Sequence, residues 1–190
     1  TLSANIYENG QINMQAANLA GINAILSGTV TGVNTVNGRL MKDQQKGYLK
    51  EVTKTKNAAG EEVKKVDYHK TTYYEFEQEN KAFISVEFRM ISTEDNSVMV
   101  SDAISRSNTD KIHYATYSGD KKKLIPGYWK YKDRDSKEDI QKDNKSDINR
   151  LQDLLKADKN IKSAQTLLNE LVDNVAKQIM LDVNKYNPEK

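Results

Sequence analysis

The chain has no cysteine in its 190 residues, which excludes disulfides, thiol catalysis and thiolate metal sites. No run approaches the roughly 18 consecutive apolar residues of a membrane-spanning helix. No signal peptide is present. The chain opens at Thr1 without an initiator methionine, as a processed or truncated chain does, so a missing targeting segment carries no weight on location. An excess of one charge is lacking too: 29 basic residues against 27 acidic leave a net +2. Nucleic-acid binding needs a concentrated basic face, and this balance gives no reason to expect one. Phenylalanine (three) and tryptophan (one) are scarce beside ten tyrosines. Tyrosine suits half-exposed sheet faces and interfaces, where the ring is buried and the hydroxyl stays wet.

The familiar catalytic kits are missing as well. His69 and His113 sit in strand-like segments with no second ligand at helical or strand spacing, so they read as solvated or packed rather than metal-binding. No G-x-S-x-G motif occurs, and Ser27-Gly28 and Ser118-Gly119 carry no specificity. There is no G-x-x-x-x-G-K-[ST] phosphate loop. The carboxylates Asp133/Asp135 and Glu138/Asp139 lie in a hydrophilic run and read as a solvated face. Glu94–Asn96 matches only part of a calcium loop. No cofactor or metal is implied, and an enzyme is not expected.

What is present is a strong strand pair, Lys81–Ser107. Ile84, Val86, Phe88 and Met90 alternate with Ser85, Glu87 and Arg89, the period of a strand with one buried face. Thr93–Ser97 supplies turn chemistry, and Val98 and Val100 resume the alternation. Upstream, Asn9-Gly10 is a turn signal. Asn13 can cap a short helix with Met14, Ala17, Leu19 and Ala20 inward and Gly21 as the stop. Asn23–Asn34 is rich in β-branched residues and reads as a strand. Gly28 inside it predicts a close approach of another group.

Thr35–Gly47 reads as polar and irregular. Tyr48–Lys56 and Val63–Gln78 read as strand-like arms about an Asn57–Glu61 turn. Lys50, Glu51, Lys54, Lys56, Glu62, Lys64 and Lys65 make them a solvated ribbon, either an exposed hairpin with gatekeeping lysines or an assembly arm. Lys111–Tyr117 reads as a further strand, Ser118–Asp120 as a turn before the basic Lys121–Lys123, and Ile125–Trp129 as a loop. Asp133–Ser146 reads as a linker or frayed surface helix. Ser146 can then cap a helix with Ile148, Leu151, Leu154 and Leu155 on one face.

Helical spacing is strongest at the end. Ile161, Ala164, Leu167, Leu168, Leu171, Val172, Val175, Ala176, Ile179, Met180 and Val183 recur at three- and four-residue steps, and Asn187-Pro188 closes the run. About 25 residues make a rod of about 37 Å. Tyr114, Tyr117, Tyr128, Trp129 and Tyr131 form the one aromatic concentration. They are candidate partner-contact residues, or the staples of a long loop.

These readings give an α/β (α+β) fold. It has a single mixed or antiparallel sheet with a central hairpin, a long C-terminal helix packed on it and an extended charged β-hairpin arm. The length fits one domain with elaborations: an inserted arm over 35–80, a polar and aromatic loop over 118–146, and C-terminal helices over 147–186. With 37% hydrophobic and 29% charged residues, the core is modest and the excursions are long.

Two segments, Ala16–Asn34 and Ile84–Ser105, together resemble the CsgG-like group of bacterial envelope proteins. That group is related in fold to the penicillin-binding-protein activator lipoproteins and the TolB N-terminal domain. Asn23 to Val30 (NAILSGTV) follows the group's A-D-A/Y-I-L-x-G-x-V strand with Asn23 for Asp. Phe88–Thr93 and Val98–Ser101 follow its v-x-l-R-l-I-d-x-x-T-G-x-v-l-x-S hairpin, with Asn96-Ser97 for Thr-Gly. The resemblance implies one CsgG-like domain that starts after the family's first strand and helices. It implies a non-enzymatic, periplasmic, outer-membrane-associated protein of a Gram-negative bacterium, lipid-anchored upstream of Thr1. Such a protein acts in assembly or secretion by contacting other envelope proteins or itself as a homo-oligomer. A secretion-channel subunit is an alternative, but lysines on the arm would cost on the order of 2–4 kcal/mol each in lipid. The other alternative is a ligand-binding or enzymatic pocket formed by His113, Tyr117, Asp120 and Trp129.

Overall fold

The structure, a computed structural model, describes residues 7–8, 11–56 and 60–186. Asn9-Gly10, most of the Asn57–Glu61 turn and Asn187-Pro188 lie outside the described residues. The elements are β1 (Tyr7–Glu8), β2 (Gln11–Ile12), α1 (Met14–Leu19), β3 (Ala24–Asn37), β4 (Met41–Lys56), β5 (Glu62–Ser92), β6 (Val98–Thr116), β7 (Leu124–Tyr128), β8 (Ile140–Gln141), α2 (Lys145–Lys156) and α3 (Ala164–Lys185). β1 and β2 pair with each other. The others form the expected antiparallel sheet in the order β3-β5-β4-β7-β8, with β6 also on β5. The chain divides into two compact units. One comprises Thr1–Asn37, Asn80–Asp110 and Lys162–Lys190; the other comprises Gly38–Glu79 and Lys111–Ile161.

The first unit is a sheet of β3, β5 and β6 under α3. Alternation decides the inward face: Ala82, Ile84, Val86, Phe88 and Met90 of β5 meet Val100 and Ile104 of β6 and Leu167, Leu171 and Val175 of α3. Each of these side chains larger than Ala82 contributes roughly 1.5–3 kcal/mol on burial. Asn96 takes φ 61° in the hairpin turn, the left-handed geometry that Asn tolerates. Asn13 caps α1 by accepting from Ala16 N at 3.0 Å. Thr93 ties this helix to the turn: its hydroxyl donates to Ile22 O, and its N–H donates to Asn23 O at 3.1 Å.

Three expectations fail in this unit. Leu19 is 91% exposed while Ala17 is fully buried. Two residues turn a helix by about 200°, so both cannot face inward. Gly28 marks no unusual approach, since a Cβ there would stand 3.5 Å from Glu87 O, an ordinary contact. α3 begins at Ala164, with Ser163 as its cap, rather than at Ile161. Its apolar stripe is wider than its buried face. Ala164, Leu167, Leu171 and Val175 are buried, Leu168, Ile179 and Val183 partly so, and Val172 and Met180 are exposed.

The second unit is built on the ribbon. β4 pairs with β5 from Met41↔Glu77 to Lys56↔Glu62, so the segment read as irregular over Thr35–Gly47 is largely strand. Its alternation is hidden because Met41–Gln44 is solvated on both faces. Lys111–Thr116 is the end of β6, not a separate strand. Ile125–Trp129 is not a loop: β7 pairs with β4 at Gly47↔Pro126 and Tyr48↔Ile125, and with β8 at Gly127↔Gln141. Glycine permits this crowding, because a Cβ on Gly127 would lie 2.6 Å from Ile140 O and 2.7 Å from the Tyr48 ring. Tyr48, Ile125 and Trp129 form one small core, and Tyr73, Ala115, Leu124, Leu151 and Leu155 another. α2 starts earlier than expected, capped by Asn144, which accepts from Asp147 N at 2.9 Å.

The run read as a linker or frayed helix, Asp133–Ser146, contains β8 and is pinned by lysines of the ribbon. Lys50 Nζ is 2.6 Å from Asp143, which also accepts from Tyr68 OH at 2.6 Å. Lys70 Nζ reaches Asp139 at 2.7 Å and Asp135 at 3.2 Å, and donates to Tyr131 O at 2.9 Å. Of the lysines read as solvated in sequence, Lys50 thus holds the loop beside the ribbon, while Lys54 and Lys65 pair within the ribbon itself.

Candidate functional site

The five aromatic candidates all fall in the second unit, in different states. Tyr114 stacks on Phe76 with centroids 4.8 Å apart. Tyr117 OH lies 3.3 Å from Thr71 Oγ1, and Trp129 Nε1 donates to Thr71 O at 3.3 Å. Trp129 is only 8% exposed, and the Lys46 ammonium sits 4.6 Å from its ring and donates to its carbonyl at 2.7 Å. Tyr128 and Tyr131 are exposed, the first beside Lys46 and the second beneath Arg134 at 4.1 Å.

The proposed pocket set does not gather at one point. Tyr117 and Trp129 meet at Thr71. His113 Nε2 faces Glu75 at 3.2 Å and Glu77 at 3.4 Å across the strands. Asp120 closes its own turn, accepting from Lys122 N at 3.0 Å. Tyr73 OH donates to Glu75 at 3.2 Å, and its ionisation is pushed far up by burial and by that carboxylate. The cavity beside Tyr73 and Glu75 is about 20 Å³, room for about one water. Among the described residues no three His, Asp or Glu side chains are grouped to hold a metal, and no helix is long and apolar enough to cross a membrane.

A different feature stands out in the first unit. β3 is hydrogen-bonded on one side, to β5, with a bulge between Val30 and Gly32. Its other edge has no strand partner among the described residues. Proteins usually blunt such edges with lysine, proline or a covering element. Here nothing charged occurs between Glu8 and Arg39, in a chain that is 29% charged. Leu26, Val30 and Val33 pair with Met90, Val86 and Ile84, so they share the face that carries the helix. They remain 45%, 57% and 53% exposed.

The helix is open on the same side. Asn108 of β6 donates to Glu170 at 3.3 Å, which sets the flank of α3 facing β6. Val172 is two residues on, about 200° around the helix, and so lies on the β3 flank. It is 45% exposed, and Leu168, Ile179 and Val183 lie beside it, half-buried. The start of α3 is fastened to the end of β3, where Ala164 N donates to Asn37 Oδ1 at 2.9 Å. An uncharged strand edge and an apolar helix shoulder therefore form one strip. On the opposite face of the sheet, Thr31, Ser85 and Ser105 make a polar hydroxyl row at 3.1 and 2.9 Å.

Sequence reasoning found β3 as a strand and missed it as an edge. The available signal was the uncharged stretch itself, which composition averaged over the whole chain conceals. No family model matches the chain, no curated protein is significantly similar to it, and no solved structure matches it significantly.

Proposed function

We propose that this chain is a non-enzymatic protein-binding module of the bacterial envelope, periplasmic and associated with the outer membrane through a lipid anchor, working in assembly or secretion. One observation carries the protein-binding part: β3 offers a long, uncharged edge flanked by half-exposed Leu26, Val30 and Val33. Such an edge gains affinity from main-chain hydrogen bonds and selectivity from alternate side chains. The envelope part is carried by the resemblance of Ala16–Asn34 and Ile84–Ser105 to CsgG-like proteins. In support of it, those segments are α1 with β3 and the β5–β6 hairpin, all in the first unit with the long terminal helix.

The test is photo-crosslinking in the native cell from a benzoylphenylalanine placed at Val33. A discrete adduct is expected from Val33 and not from Val66 on the ribbon, and Val30→Lys in the same chain is expected to abolish it. Absence of any adduct at Val33 removes β3 from the account. Recovery of the chain in the cytosolic fraction removes the envelope assignment alone.

A further inference from the structure

We infer that the lysine-bearing face of the β4–β5 ribbon binds single-stranded nucleic acid, with bases stacking on its rings and phosphates meeting its ammonium groups. This surface lies wholly in the second unit and is independent of the β3 reading.

The near-zero net charge of the chain conceals how the register sorts its charges. Residues opposite each other in an antiparallel pair share a face. The register from Met41↔Glu77 to Lys56↔Glu62 runs unbroken, so even-numbered residues of both strands lie on one side and odd-numbered residues on the other. One side thereby carries every lysine of the paired stretch except Lys65, and the other every carboxylate except Glu62. The 135–143 segment neutralises the middle of the lysine side through Lys50 and Lys70. Toward the Met41 end, Lys42 and Lys46 have no carboxylate partner among the described residues, and Lys42, Gln44 and Tyr74 are exposed.

The rings stand at that same end. β4 and β6 flank β5, so Lys42 and Tyr114 approach Phe76 from opposite sides. Tyr114 stacks on Phe76 with centroids 4.8 Å apart and planes 8° from parallel. The Lys42 ammonium closes the other side, 5.8 Å from the Phe76 ring and 4.1 Å from that of Tyr74. Lys159 Nζ stands 5.6 Å from the Tyr114 ring. A two-ring stack thus ends in an ammonium on each side, each carried on a flexible four-carbon stem. A base can take the place of either ammonium on the stack, and the displaced ammonium can then meet the adjoining phosphate. Four residues along β4, about 13 Å, a second such unit occurs: Lys46 Nζ lies 4.7 Å from the exposed Tyr128 ring and 4.6 Å from that of Trp129. A repeated unit of ring and cation on an open strand face suits a flexible chain of flat, anionic monomers. An acidic peptide would use the ammoniums and leave the rings idle. A duplex keeps its bases stacked inside, beyond the reach of these rings.

The probe is a fluorescein-labelled oligothymidylate of about 16 nucleotides, titrated with the intact chain and followed by fluorescence anisotropy. Binding is expected, and it should weaken steeply between about 50 and 200 mM salt. Lys42→Gln should lower the slope of log affinity against log salt by about one. Tyr74→Ala should weaken binding at least fivefold. Both variants change exposed side chains and should leave the circular dichroism spectrum unchanged. Lys65→Gln, on the opposite face, should leave binding as it is. Irradiating the unaltered chain with an iodouracil-bearing oligonucleotide gives a readout that does not depend on weakened binding, and its adduct should map to Tyr74, Phe76 or Tyr114. No binding at about 50 mM salt overturns the inference. So does equal affinity for the matching duplex or for polyglutamate, binding that Lys42→Gln and Tyr74→Ala both leave unaltered, or an adduct confined to other residues. None of these outcomes bears on β3, whose own test is the crosslink from Val33.

Discussion

In the first unit, ten buried side chains from β5, β6 and α3 make one core, and Phe88 supplies its single ring. In the second, the buried set splits into two clusters around Tyr73 and around Tyr48 with Trp129. Ion pairs from Lys50 and Lys70 hold the neighbouring loop. Aliphatic packing needs only the right face and volume. Ring packing with buried hydroxyls needs a partner for each polar atom, so Tyr48 OH donates to Tyr128 O at 3.0 Å and Trp129 to Thr71. The first unit thus needs only shape to close its core, while the second needs a polar partner for each buried ring hydroxyl or N–H.

The largest effect is expected from the aliphatic core. Leu167→Ala removes a side chain that is 1% exposed and should destabilise the first unit by about 2–5 kcal/mol. Chemical denaturation followed by far-UV circular dichroism measures it. Trp129, the sole tryptophan, reports on the second unit by fluorescence. If its midpoint moves equally, the units unfold as one cooperative body and the contrast between them has no thermodynamic meaning.

Crowding at β7 comes next. Gly127→Ala places a Cβ against Ile140 O and the Tyr48 ring, and should cost about 1–3 kcal/mol, read from Trp129 emission during urea unfolding. A neutral result would show that β7 and β8 can part without loss. Tyr48→Phe keeps the ring and deletes one buried hydrogen bond, so about 1 kcal/mol is expected in the same assay.

The smallest effect concerns acid. The hydrogen bond from Lys70 holds the Asp139 carboxyl below its ordinary 3.8. At Asp143 burial acts upward, but hydrogen bonds from Lys50 and Tyr68 outweigh it and the carboxyl is again lowered. Both groups bind protons more weakly folded than unfolded. Their contribution is present above about pH 3.8 and is lost as pH falls through the lower folded values. Trp129 emission should change in that range, and Lys70→Met should flatten the change. An identical acid profile in the variant would detach Asp139 from the stability of the second unit.

The legible parts of the fold were those whose own side chains show their environment. Ile84 to Met90 alternate because one face is buried, and Leu167, Leu171 and Val175 recur because one helix flank is buried. Ile125–Trp129 was illegible because proline and glycine signal a turn locally, whereas Gly127 serves a contact with Tyr48 from a distant strand. The start of β4 was illegible because a strand solvated on both faces has no period to read. Of the aromatic candidates, the sequence could not separate buried Trp129 from exposed Tyr131 two residues later.

Local pattern by itself determined the strands with a buried face, the turn at Thr93–Ser97 and the stripe of α3, since each depends on neighbours a few residues away. Tertiary structure alone decided which strand became an edge, and how much of the α3 stripe the sheet could cover. Those depend on the order of strands and the width of the layer beneath the helix, quantities that no window of sequence contains. The uncharged β3 was visible in the sequence all along; its open side was not.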